Sequence, residues 1–170
     1  MRCTLVFLLQ GGRILLARKK RGLGAGLING VGGKIEPGET AEEAAVRECR
    51  EEIGVTPLDL TRAGEHDFLM DADAEPWRIH VHVFTARRWE GEPQETDEAA
   101  PRWFGVGEVP YDDMWADDRF WLPQVIAGET VRGRFEFDSA ETLVAHDVRP
   151  WTAAETWQTP QALPSPPPAS

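Results

Sequence analysis

The sequence predicts a single α/β or α+β sandwich, and three observations carry that expectation. The chain has 170 residues, enough for one domain with a real core, and its composition does not break until near residue 150. Hydrophobic residues make up 41% and charged residues 28%, the balance of a globular protein. Strand-like and helix-like patterns then follow one another in mixed order, with a hairpin near each end and two helical patterns between.

The first element is "CTLVFLLQGGRILLARKK", two strands joined at Gly11-Gly12, a hairpin turn signal. Its apolar start is too short for a membrane span and lacks a cleavage site. "RGLGAGLINGVGGK" follows as a glycine-rich loop. A helix starts at Thr40, with Glu43 three residues on completing a capping box, and runs to about Ile53, where Gly54 stops it. Val46, Cys49 and Ile53 read as its core stripe. "WRIHVHVFTARRW" alternates as a strand, with Ile79, Val81 and Val83 on one face and His80, His82 and Phe84 on the other. The two histidines read as structural rather than metal-binding. "PRWFGV" reads as another strand and "DDRFWLPQVIAG" as a second helix. "VRGRFEFDS" and "TLVAHDV" read as a closing hairpin. This gives a domain over residues 1–149. The proline-rich stretch 150–170, with Trp151 and Trp157, reads as a disordered tail.

Charge narrows the function classes. The net charge is −11, which disfavours a nucleic acid polymer or an anionic membrane as partner. An acidic protein that handles phosphates needs a cation between the like charges. Cys3 and Cys49 each sit in an apolar pattern and fit no zinc spacing, so reduced, buried thiols and a cytoplasmic protein are expected.

The first helix carries the chemistry. Glu48, Glu51 and Glu52 are related by i,i+3 and i,i+4 and share one face. Three carboxylates there repel one another unless a cation sits among them, and hard oxygen ligands suit Mg²⁺ or Mn²⁺. Ala41 and Ala44 fall near the same face and would leave room. The bland alternative is a solvated, acid-rich surface.

The wider pattern decides between these readings. Gly33, Glu39 and then Arg47-Glu48-Cys49-Arg50-Glu51-Glu52-Ile53-Gly54-Val55 resemble the Nudix box at every fixed position. The resemblance implies an α/β/α sandwich around a mixed β-sheet. It also implies a hydrolase of nucleoside diphosphates linked to another group. Glu48, Glu51 and Glu52 would bind the divalent metal, and Glu39 would pair with Arg47. The glycines would let the backbone approach metal and phosphate.

"TLVFLLQ", "KKRGLGAG", "NGVGGK", "HVHVF", "ETDE", "WFGVGEVPYDDMWADDRFW" and "FEF" resemble, in order and spacing, the oxidised purine nucleoside triphosphatase branch of that family. That branch converts substrates such as 8-oxo-dGTP and 2-hydroxy-dATP to monophosphate and pyrophosphate. Carried over, Asn29, Asp117 and Asp118 would read the purine edge, with Trp115 and Phe68 against the base. Thr4, Lys19, Leu23, Val31, Gly33 and Lys34 would shape the pocket. The Gly32 carbonyl and Glu98 would complete the metal site. Read singly, Asp117 is equally a helix cap, Asp118 a first-turn acid, Asn29 a turn residue and Lys19 one of several exposed bases. Trp115 and Phe68 are equally core aromatics. Two positions depart from the branch: Leu23 stands where phenylalanine is typical and Ile28 where tryptophan is. They keep open a hydrolase of an undamaged or modified nucleotide or a sugar nucleotide. A non-catalytic nucleotide sensor is a further alternative, disfavoured by the intact Glu39, Arg47, Glu48, Glu51 and Glu52.

Overall fold

The computed structural model describes residues 1–151. Its strands are β1 (Arg2–Gln10), β2 (Arg13–Lys19), β3 (Ile28–Asn29), β4 (Thr56–Leu58), β5 (Thr61–Met70), β6 (Trp77–Ala86), β7 (Arg88–Glu90), β8 (Ala99–Gly105), β9 (Val131–Phe137) and β10 (Leu143–Pro150). The helices are α1 (Ala41–Ile53) and α2 (Asp118–Ile126), with a single 3₁₀ turn at Tyr111–Asp113. No helix among the described residues is long and apolar enough to cross a membrane.

The main sheet runs β10-β9-β5-β6-β1-β2, with β8 and β3 also paired to β2. It is mixed: β1–β6 and β5–β9 are parallel, and the remaining pairs are antiparallel. β4 and β7 form a separate two-stranded ribbon. The apolar run of β1 is explained by burial on both faces. Val6 and Leu8 pack with α1, whereas Phe7 and Leu9 join Trp121, Leu122 and Val125 of α2. One helix on each face makes the expected sandwich.

α1 has the expected limits. The Thr40 hydroxyl accepts from the Glu43 N–H (3.1 Å), and the Glu43 carboxylate accepts from the Thr40 N–H (3.2 Å). Gly54 ends it at φ 71°. Its core face differs from the expected stripe. Ala41, Ala44 and Ala45 are buried beside Cys49 and Ile53, while Val46 is half-buried. The small side chains bring the helix close to the sheet; they do not open space beside the carboxylates.

β4 and β5 have no counterpart in the sequence reading, and the strand expected over 77–89 divides into β6 and β7. "TRAGEHDFLM" interleaves charged and apolar residues and bulges between Arg62 and Gly64. Glu65 is buried and Asp67 half-buried because partners wait on β6 and β9. His80 sits between Asp67 (Nδ1–Oδ1 2.7 Å) and Glu65 (Nε2–Oε1 2.6 Å), and Arg132 donates to the other Glu65 oxygen (2.9 Å). The body also reaches past the expected boundary. Pro150 closes β10, Trp151 is buried, and the Trp151 N–H donates to the Thr130 carbonyl (2.9 Å). Residues 152–170, with Trp157, lie outside the described residues.

Candidate active site

The site begins where β1 and β2 part. They pair only from Leu8↔Leu15 to Gln10↔Arg13, and residues 28–35 fill the gap beyond. Asn29 and Ile28 pair with Ala17 and Arg18 of β2. On the other side Val31 exchanges backbone bonds with Val6 (2.6 and 3.0 Å), and the Thr4 N–H donates to the Gly33 carbonyl (2.9 Å). At its glycines this wedge lies so close to its neighbours that side chains are excluded. A Cβ on Gly32 would collide with the Thr4 carbonyl, and one on Gly33 would stand 2.6 Å from the Glu48 carboxyl.

Above the wedge, Arg47 organises the acids of α1. It donates twice to Glu39 (2.6 and 2.9 Å), once to the Lys34 carbonyl (3.0 Å), and to Glu48 (2.9 Å) and Glu51 (3.2 Å). The hydrogen bonds from Arg47 hold the Glu39 carboxyl low, at about 2. Glu51, expected as a metal ligand, has its side chain 57% exposed and turned to Arg47.

Glu48 and Glu52 point inward instead. Burial raises the Glu48 carboxyl, with Arg47 opposing. Burial, with the Glu48 and Glu98 charges adding to it, pushes Glu52 up to about 8, and Lys19 only partly opposes. Carboxylates forced together with so little compensation, over a glycine backbone, fit a hard divalent cation. Glu98 accepts from Arg21, beyond the inner pair.

A second cluster meets the distance requirement for a metal: Glu65, His80 and His82 on β5 and β6. Its chemistry fits an ion less well. Burial opposes charge on His80, but the hydrogen bonds to Asp67 and Glu65 outweigh it and hold the imidazole at about 9. Arg132 pairs with Glu65, and Arg2 lies 3.5 Å from His82 Nε2. The cluster is already neutralised by cations, which matches a structural role for both histidines.

A cavity of about 380 Å³ opens from Glu52 and the wedge into the α2 side of the sheet. Lys19, Gly32, Gly33 and Lys34 line it near the acids. Leu23 stands in its wall, 40% exposed. Thr4, Asn29, Phe68 and Trp115 continue inward to Asp117 and Asp118. The Asn29 side chain accepts from the Gly30 N–H (2.8 Å), so its turn role is real as well. Asp117 occupies the N-cap position of α2 but makes no capping bond; its Oδ2 accepts from Trp121 Nε1 (2.8 Å). Burial raises both aspartates, and the Trp121 N–H opposes the rise at Asp117. Asp118 is raised further by the Asp117 charge, and its Oδ2 has no hydrogen-bond partner among the described residues. The Trp121 N–H thus favours charge at Asp117 over Asp118, while burial disfavours charge at both.

Val31, expected in the pocket, turns its side chain into the core beneath α1. The lining residues that the sequence reading missed include Trp121 and His66. Trp121 lies four residues beyond Asp117 on α2, so helical spacing could have found it. His66 lies on the unrecognised β5, and no local pattern marks it.

The comparisons agree with this architecture. The NUDIX domain model matches residues 1–125. The chain is 44% identical to the oxidized purine nucleoside triphosphate hydrolase of Danio rerio over 143 residues, covering 84% of this chain and 90% of the relative. It is 39% identical to the Mus musculus protein of the same name over 146 residues, covering 86% and 92%. Among solved structures, the mutator MutT protein of Bacillus halodurans superposes with a TM-score of 0.77 at 24% identity, covering 86% of this chain and 96% of that one, a likeness of fold.

Proposed function

This chain belongs to the NUDIX domain family, and on that premise we propose that it hydrolyses oxidised purine nucleoside triphosphates to monophosphate and pyrophosphate, sanitising the nucleotide pool. Nudix hydrolases act on nucleotides and generally need a divalent cation. Here that cation is Mg²⁺, with Mn²⁺ as substitute. Glu48 and Glu52 hold it, joined by Glu51, Glu98 and the Gly32 carbonyl. When bound, it neutralises phosphate charge and lowers the pKa of the attacking water.

The protein's own groups do the rest. Arg47 and Glu39 clamp α1 to the wedge and so fix Glu48. Lys19 and Lys34 face the triphosphate, with Thr4 and Gly33 shaping the wall beside it. Deeper in, Phe68 and Trp115 contact the base, and Asn29, Asp117 and Asp118 read its edge. A protonated Asp118 donates while an ionised Asp117 accepts, so the pair offers both hydrogen-bond roles within one apolar pocket. Exchange of that proton lets the pocket accept more than one oxidised purine. We further take the protein to be a cytoplasmic monomer that binds neither nucleic acid polymer nor membrane.

One observation carries the reading: Glu52 of α1 and the buried Asp117 and Asp118 at the start of α2 line the same cavity. The test is a panel of normal and oxidised nucleoside triphosphates with Mg²⁺, comparing kcat/KM and identifying products. Oxidised purines should rank first and yield monophosphate with pyrophosphate. Diphosphate with orthophosphate would reject the cleavage position. A preference for undamaged nucleotides would favour the rival that Leu23 and Ile28 keep open.

A further inference from the structure

His66 is fully buried, and neither ring nitrogen makes a hydrogen bond of good geometry among the described residues, although the Glu65 backbone lies near enough to favour the charged ring. Leaving a buried polar group unmatched is costly, and such groups mark sites that a water or ligand completes. Burial pushes the imidazole down to about 3, so it is neutral near pH 7, with one nitrogen donating and the other accepting.

Its surroundings are built to hold the ring in place. On β5, His66 shares a face with Phe68 and Met70, which also line the cavity. Trp121 packs on the ring at 4.5 Å between centroids, and Phe135 meets it edge-on at 5.4 Å. Gly133 lies directly across on β9, and a Cβ there would come within 2.7 Å of His66 Nδ1. The missing side chain makes room for the imidazole. Trp121, the same ring that packs on His66, donates to Asp117. Asp118, whose Oδ2 is buried without a hydrogen-bond partner among the described residues, lines the same cavity.

We infer that His66 is a specificity-determining residue: a ring nitrogen hydrogen-bonds a polar exocyclic group of the purine, alongside the aspartate pair. This rests on the proposed purine triphosphate reading. An apolar side chain at this depth would tolerate a base lacking that group, whereas an imidazole left unpaired penalises it.

The test pairs His66→Leu and His66→Gln with substrates that differ by one polar group: dGTP with dITP, dGTP with 2-aminopurine deoxyriboside triphosphate, and 2-hydroxy-dATP with dATP. In the wild type, removing the recognised group should raise KM more than it lowers kcat. In His66→Leu the discrimination for at least one pair should shrink by about 2- to 12-fold, the range expected for one neutral hydrogen bond. His66→Gln should retain part of it. A uniform change across all substrates, with every ratio preserved, would make His66 a packing residue and overturn the inference.

If His66→Leu does not fold, the wild-type ring still reports. Saturation with 8-oxo-dGMP, the expected product, should shift one His66 ring ¹⁵N resonance in the manner of a new hydrogen bond. No shift on saturation overturns the assignment. A wild type inert toward every purine would instead reject the functional reading, before any variant is made.

Discussion

At Glu52, burial and neighbouring carboxylates act in the same direction, and a bound divalent cation would offset both. Glu52→Gln should therefore lower kcat at least about 100-fold in Mg²⁺ while leaving the metal-free thermal midpoint equal or higher, because a buried repulsion is gone. EDTA should abolish wild-type turnover. Near-normal kcat in the variant would remove Glu52 from the chemistry. Asp117 and Asp118 are not interchangeable, since only Asp117 has the Trp121 donor. Asp117→Asn and Asp118→Asn should each change the kcat/KM ratio of oxidised guanine to oxidised adenine substrates, and unchanged rankings in both would return them to a structural role. Leu23 offers no π face in the cavity wall, so Leu23→Phe should lower KM for an oxidised purine by about 2- to 12-fold, measured by initial rates. An unchanged or raised KM with intact fold would mean that the pocket serves another ligand. The acidic face of α1 was legible because one helix turn sets its spacing. The proposed base readers needed a resemblance, and His66 needed the fold itself, because its neighbours come from β9 and α2.

Among the elements, α1 was the most legible: its cap, its stop and its acidic face are all local. β5 was not, because its charges are compensated only across the sheet. That compensation makes the β5–β6 pair sensitive to pH. His80 is raised from 6.5 to about 9, so its contribution is complete below pH 6.5 and fades as pH rises toward 9. The stability gap between wild type and His80→Gln, from chemical denaturation, should be widest at and below pH 6.5. It should narrow by on the order of 2–3 kcal/mol by pH 9. A gap that widens with pH would reject the charged-histidine network. The same period-two pleat that sends Glu65 and Asp67 into this network sends His66 and Phe68 to the cavity, so one strand serves both faces.

For the whole molecule, the two-helix sandwich could be foreseen from element order, but the strand order could not. Nothing local tells β1 to lie parallel to β6, or β5 to lie parallel to β9. The wedge was hidden for the same reason: a glycine-rich loop gives no sign that it will complete a gap between two strands. That arrangement has a consequence for how the molecule assembles. The β1–β2 hairpin and α1 close over short loops, whereas Arg2 must find His80 and Gly64 must find Val131. Contacts across such separations form slowly. In a refolding experiment with pulsed hydrogen exchange, the amides of α1 should gain protection before those of β9, and simultaneous protection would argue for a single concerted step. A ribosome would then release the acidic helix well before the strand that seats His66. The half of the site proposed to hold the metal would be made early, and the strand proposed to help choose the base would arrive last.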